Sequence, residues 1–464
     1  MKTRYFSVFA VAVSLAVSGL SSAQTYGPNP ITLKRYSGDE TDSTAYTGQA
    51  ARQVLHTSLK KLAGKGDGSN AAELKKRMMQ YYAGKDEGRK IIDPASRDGF
   101  TIAQSEVDQI SGGVNLKDKT YKGIVDGWPG KMTGPEVLEF MIDKAAQAKG
   151  GYDPLTGYNY PQLISKFAMG AVFYHQAVDN YLDEKLEADN KPNNKPYGEG
   201  RHYTGKEHSW DEGFGYFGAP AHAMTLDASQ AYGIAKRKDQ AVADYNKDGK
   251  VDLYREMTYA HAYYAADSDK TGTDYLHTIF KAFLDGRRLI AGANGEVLSD
   301  EQRIQLKAHA KTIKTQWEKV IAEAVFKYAG SVYKDLEKLQ TIIESGGNAG
   351  DTFKAYAKHW GEMKGFAMTL ETGGKSLGEV GVKVNRLIGY GPVLLGGGQV
   401  TGIDADGNYE IGGTQDMGNY MVHMLKLQKL LDEAYNLRAK KNDATAELDG
   451  LVQSLGESLS SEND

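Results

Sequence analysis

Two short strings in this chain place an imidazole beside a carboxylate at helical spacing. In HSWDE, His208 is followed by Asp211 at the third position and Glu212 at the fourth, and in HWGE, His359 is followed by Glu362 at the third. Residues three and four apart share one face of a helix, so each string offers a nitrogen and an oxygen to the same point. Such donors suit iron, zinc or manganese, and affinity alone does not choose among them. The sequence has no cysteine, which excludes thiolate metal sites, disulfides and cysteine nucleophiles. His175, with Asp179 four residues on, reads first as a core or groove histidine and then as a third ligand candidate.

A separate pattern, DYNKDGKVDLYRE, runs from Asp244 to Glu256. Asp244, Asn246 and Asp248 supply oxygens at positions one, three and five of a loop of the EF-hand type, Gly249 permits the sharp turn, Lys250 offers its carbonyl and Asp252 stands at position nine. At position twelve Arg255 replaces the bidentate acid, and Glu256 follows one residue late. The expectation is a calcium loop that braces the fold. The shorter DADGNYEIGG, from Asp404, reads as a hairpin-like turn. GYGPVLLGGG lacks the Gly-Lys-Ser/Thr ending of a phosphate loop, and the zinc-protease His-Glu-x-x-His string is absent. Hydrolysis has no positive support in these motifs.

These residues need helices to position them. Apolar stripes at three- and four-residue steps run through Pro135 to Lys149, Leu163 to Leu186, Tyr254 to Ala265, Leu276 to Leu289, Ser299 to Ile343, Thr352 to Leu370 and Met417 to Leu437. Long β-type alternation is not visible, and Gly/Asn-rich segments between the stripes read as loops. AVFYHQAVDNYLDEKLE (Ala171 to Glu187) resembles AVFKYAGSVYKDLEKLQ (Ala324 to Gln340), and each precedes one of the two His and Trp-x-Glu strings. The spacing suggests a duplication, with repeat halves near 160–230 and 315–375. The expected fold class is all-α: two packed, duplicated helical bundles with long Gly/Asn-rich loops. The pairs His208 with Glu212 and His359 with Glu362 are then expected to converge, with Asp211 as the alternative acid. Trp210 and Trp360 read as packing residues beside them.

The segments FAMGAVFYHQAVDNYL, EHSWDEGFGYFGAP and KHWGEMKGFAMTLE resemble the hallmark segments of the bacterial envelope family named domain of unknown function 4856. That family is in turn similar to the imelysin-like proteins, two-lobed helical bundles associated with iron or other metal acquisition. The resemblance spans roughly residues 30 to 437. It implies an imelysin-like domain over 24–437 and a metal-related role. Imelysins carry a His-x-x-Glu motif, which His359 and Glu362 match and His208 does not.

The first 23 residues hold Lys2 and Arg4, an apolar run from Tyr5 to Leu20 and Ser21-Ser22-Ala23. This is the pattern of a secretory signal peptide cleaved after Ala23, which places the mature chain in the periplasm or outside the cell. Without Lys2 and Arg4 the 56 basic residues become 54 against 60 acidic ones. That balance leaves no footprint for nucleic acid, and no later apolar run approaches the roughly eighteen residues of a membrane span. Residues 438–464 read as a flexible tail. The expected function is a non-enzymatic envelope protein that binds a metal ion or a metal-bearing ligand, with calcium as a structural ion, iron or zinc as cargo and an outer-membrane uptake system as the expected partner. A metal-dependent hydrolase and a structural scaffold are the alternatives.

Overall fold

The computed structural model describes residues 25–187, 190–413 and 415–456. The expected leader, residues 1–23, lies outside them, as do residues 457–464.

Helix starts are fixed by side chains that reach the free amide groups of the first turn. Thr133 with Glu136, Thr204 with Glu207, Asp227 with Gln230 and Ser299 with Gln302 each form a reciprocal capping box. The helices in chain order are α1 (Thr47–Ala63), α2 (Ala71–Tyr82), α3 (Gly134–Gln147), α4 (Tyr160–Ala168), α5 (Gly205–Phe217), α6 (Ala228–Ala235) and α7 (Gln240–Ala243). They continue with α8 (Ala260–Asp269), α9 (Tyr275–Gly292), α10 (Asp300–Glu344), α11 (Gly350–Leu370), α12 (Gly378–Ile388), α13 (Met417–Tyr435) and α14 (Leu448–Leu455). Among the described residues two antiparallel hairpins are the only sheets, β1 (Tyr152–Asp153) with β2 (Tyr158–Asn159) and β3 (Gln399–Ile403) with β4 (Tyr409–Gly412). The fold is therefore mostly helical, as the periodicity implies. Asp404 closes the second hairpin by accepting from the amides of Asp406 and Asn408 at 2.9 and 2.8 Å.

The spine is α10, 45 residues long and so about 68 Å from end to end. It packs along α9, α11 and α13, and α11 in turn lies on α4. Beyond α4 the backbone winds as two π-helical segments, Met169–Tyr174 and Gln176–Tyr181. Such widened turns shift the side-chain register and gather at functional sites. The α4–α11 contact depends on absent side chains. A Cβ on Gly365 would stand 2.5 Å from that of Lys166, and one on Gly170 would stand 2.3 Å from Thr369 Oγ1. Thr369 closes the seam by donating to the Lys166 carbonyl at 2.9 Å.

The two matching sequence segments differ in their connections. Ala171 to Glu187 covers the π-helical turns and leads into α5 through a long loop, whereas Ala324 to Gln340 lies within the unbroken α10 and reaches α11 through five residues, 345–349. The stripe from Tyr254 also starts late: α8 opens only at Ala260. The segment read as a flexible tail is tied down as far as Leu455. Glu323 accepts from the amides of Arg438, Ala439 and Lys440 at 2.7, 2.7 and 2.9 Å, Gln428 holds the Ala444 amide at 3.0 Å, and α14 follows. Among the described residues no helix is long and apolar enough to cross a membrane.

Candidate functional site

The first string lies on α5. His208 Nε2 stands 3.7 Å from Glu212 Oε2, with the imidazole stacked on Tyr203 and edge-on to Tyr197, ring centres 4.7 and 4.2 Å away. Burial holds the imidazole below its ordinary pKa, against the pull of Glu212. Glu212 Oε1 accepts from Gln49 Nε2 at 2.8 Å and from the Tyr181 hydroxyl at 3.1 Å. Asp211 points elsewhere. It is fully buried and accepts from Arg287 Nε at 2.9 Å, the Tyr26 hydroxyl at 2.7 Å and the Ala45 amide at 3.0 Å.

The second string lies on α11. His359 Nδ1 meets Asp335 Oδ2 of α10 at 2.6 Å, while Glu362, nearly one turn on, faces Lys166 of α4. The two His–acid strings share no partner. Among the described residues no three His, Asp or Glu side chains stand together as a ligand set for a metal ion. Asp211 is taken by Arg287 and the Ala45 amide, Glu212 by Gln49, and Glu362 faces Lys166. Trp210 and Trp360 are fully buried, and their indole N–H groups donate to the Phe283 carbonyl and the Tyr420 hydroxyl, each at 2.8 Å. His175 Nδ1 lies 3.2 Å from Asp179 Oδ2, with Tyr121 against its ring.

The Asp244 loop turns its oxygens inward. Asp244 accepts from the amides of Asp248 and Gly249, Asn246 from Asp248, and Asp248 from Lys250, at 2.8 to 3.1 Å. Lys247 and Gly249 take left-handed backbone, φ 61° and 87°, which makes the turn. Glu256 bridges the loop, accepting from the Asn246 amide at 3.0 Å and the Asp252 amide at 2.8 Å. Asp252 Oδ1 is taken by Gln104 Nε2 at 2.6 Å and the Tyr254 amide at 2.9 Å. Burial holds the Glu256 carboxyl above its ordinary pKa, and Asp252 and Asp244 reinforce it.

Glu362 leads to a cavity that spacing within single helices could not reveal. It has a volume of about 380 Å³ and is lined from five directions by Lys60 of α1, Lys166 of α4, Tyr264 of α8, Tyr328 of α10 and Glu362 of α11. Arg97, Lys236 and Arg237 bring the lining cations to five, against Glu362 and Asp93. The wall is thus cationic in a chain whose net charge is −4. Arg237 and Asp93 offset one another at 3.3 Å. Lys166 Nζ is 3.9 Å from Glu362 Oε1 and lies over the rings of Tyr264 and Phe366 at 5.2 and 5.8 Å. Burial drives the Lys166 amine well below the ordinary lysine range, the charge of Lys60 adds to this, and Glu362 opposes it. Lys60 is lowered too, chiefly by burial, with Glu362 opposing. Both amines line the same cavity.

The rest of the wall is neutral. His56 Nε2 lies 2.9 Å from the Ser165 carbonyl, a contact it can make only as a donor, and burial pushes the imidazole down to about 3. Burial raises the tyrosine hydroxyls of Tyr264 and Tyr328. Ala260, also in the wall, opens α8 at φ 35°, a conformation that costs a non-glycine residue about 1 kcal/mol or more.

A family model described as Domain of unknown function (DUF4856) matches residues 144–383. The chain belongs to that family. The DUF4856 match includes Lys166, Tyr264, Tyr328 and Glu362, while Lys60 lies ahead of it. No curated protein and no solved structure matches the chain.

Proposed function

We propose that this DUF4856 protein is a non-enzymatic binding protein of the cell envelope, and that its cavity takes a small anionic ligand, free or as the anionic part of a metal complex. One observation carries this reading: five cations, among them the amines of Lys60 and Lys166, line a cavity that holds two carboxylates, Glu362 and Asp93. Burying an amine without a close counter-charge costs several kcal/mol. An anion in the cavity would supply that counter-charge, and the tyrosine hydroxyls would orient it. Iron or zinc enters as cargo of the ligand, and an outer-membrane uptake system is the partner such a carrier would serve.

Isothermal titration of the purified protein with phosphate, acetate and a metal–carboxylate complex tests the reading. Binding that is lost in Lys166→Met supports it. Equal heats for the variant and the wild type would place the ligand elsewhere. The Asp244 loop is a second, structural site in this proposal, favoured by the bridging position of Glu256, and calcium is its ion.

A further inference from the structure

The cavity holds a feature that anion binding alone does not require. An amine whose only task is to attract an anion works best fully charged. Lys166 is built the other way: its residue is 3% exposed, its nearest carboxylate oxygen is at 3.9 Å, beyond hydrogen-bonding reach, and a second amine, Lys60, lines the same cavity. Two amines that face one cavity cannot both keep their protons cheaply, and desolvation beside another cation is the setting that turns a lysine into a nucleophile.

We propose that Lys166 condenses reversibly with the carbonyl carbon of a small 2-oxo acid whose carboxylate is held by Lys60. This rests on the anion-binding reading and specifies its ligand class. The lone pair of neutral Lys166 Nζ attacks the carbonyl carbon, the N–C bond forms, and the carbonyl oxygen takes up a proton to give a carbinolamine. Loss of that hydroxyl as water, with both amine protons released from nitrogen, leaves a C=N bond, so one carbonyl compound and one amine give one imine and one water. Glu362 relays a proton from the nitrogen to the departing hydroxyl through one water, since 3.9 Å is too long for direct transfer. Water entering the cavity reverses each step and frees the ligand.

The test uses the full mature protein with pyruvate as the probe and lactate, which lacks the carbonyl, as the control. Sodium borohydride added to the pyruvate mixture reduces an imine to a stable secondary amine. The expected result is one adduct per chain, with the mass of pyruvate less one oxygen, mapped to the Lys166 peptide and lost in Lys166→Arg. Lactate should bind by titration without leaving an adduct. Adducts spread over exposed lysines, or one on Lys60, would overturn the role of Lys166. Lactate and pyruvate binding with equal affinity, and with no adduct, would overturn the covalent step while leaving the anion site standing. Absence of binding by lactate, phosphate and pyruvate alike would remove both.

Discussion

Lys166 Nζ and Glu362 Oε1 face each other at 3.9 Å, with side chains 3% and 9% exposed. That separation is too long for a hydrogen bond, so the pair receives Coulomb attraction without the directional contact that offsets desolvation. A buried pair of this kind contributes little to stability, whereas deleting one partner leaves an uncompensated charge. Glu362→Ala should therefore destabilise the protein by about 3 kcal/mol, because Lys166 loses the carboxylate that faces it. Lys166→Met, which keeps the length and removes the charge, should melt at or above the wild type. Urea unfolding of both variants decides this: equal losses would mean that the pair is a net stabilising bridge.

A second buried amine gives a pH signature. Lys364 is fully buried and donates to the Gly389 carbonyl at 2.8 Å, and burial pushes its pKa down to about 8, with Glu371 opposing. The folded state then holds fewer protons than the unfolded chain between about pH 8 and the ordinary lysine value near 10.4, so stability must rise with pH across that window. The group contributes on the order of 1 to 3 kcal/mol over that range. Urea midpoints should increase from pH 7.5 to 9.5, more steeply in the wild type than in Lys364→Met. A flat or falling wild-type profile would show that the amine keeps its proton in the fold.

For the Asp244 loop, calcium should raise the melting temperature, with an affinity on the order of 0.1 to 1 mM. Four carboxylate and amide side chains, Asp244, Asn246, Asp248 and Asp252, already surround the turn, and Glu256 spans it from the thirteenth position. Asp248→Ala should abolish the calcium shift. Superimposed melts with calcium and with chelator would leave the loop as a turn held by its own backbone amides.

The helices that carry the fold were legible where one face is apolar and the other charged. The stripes over α3, α9, α10, α11 and α13 match the observed spans to within three residues. Helix α1 was not legible because its buried set includes Gln49, Arg52, Gln53, His56 and Ser58, which carry no apolar period. For the site, Glu362 was visible in its string, but its partner was not: the string suggested His359, and tertiary packing supplied Lys166 from a helix almost two hundred positions earlier. A signal did exist. Lys166 is the only charge between Leu163 and Tyr174, and a lysine inside so apolar a run must be buried with it. Lys60 gave no such signal, since a lysine near the end of a helix is exposed by default and favoured by the helix dipole.

The last prediction concerns Arg287, which organises the acid that spacing had offered to His208. Its guanidinium donates to Asp211 at 2.9 Å, to Glu207 at 3.1 Å and to Ser43 Oγ at 2.7 Å, and it and both carboxylates are fully buried. Through Asp211, which also receives the Tyr26 hydroxyl and the Ala45 amide, this one cation fastens the stretch from Tyr26 to Tyr46 onto α5 and α9. Arg287→Ala would strand two buried carboxylates and should cost about 3 to 5 kcal/mol. The loss should be local before it is global, so limited proteolysis should cut between Tyr26 and Tyr46 at urea concentrations where α10 stays protected. Replacing the set together, Arg287→Met with Asp211→Leu and Glu207→Met, should recover much of the loss, because a packed apolar cluster has no charge to strand. If the triple variant is no more stable than Arg287→Ala, hydrogen bonding to Tyr26, Ser43 and Ala45 rather than charge balance holds the segment in place.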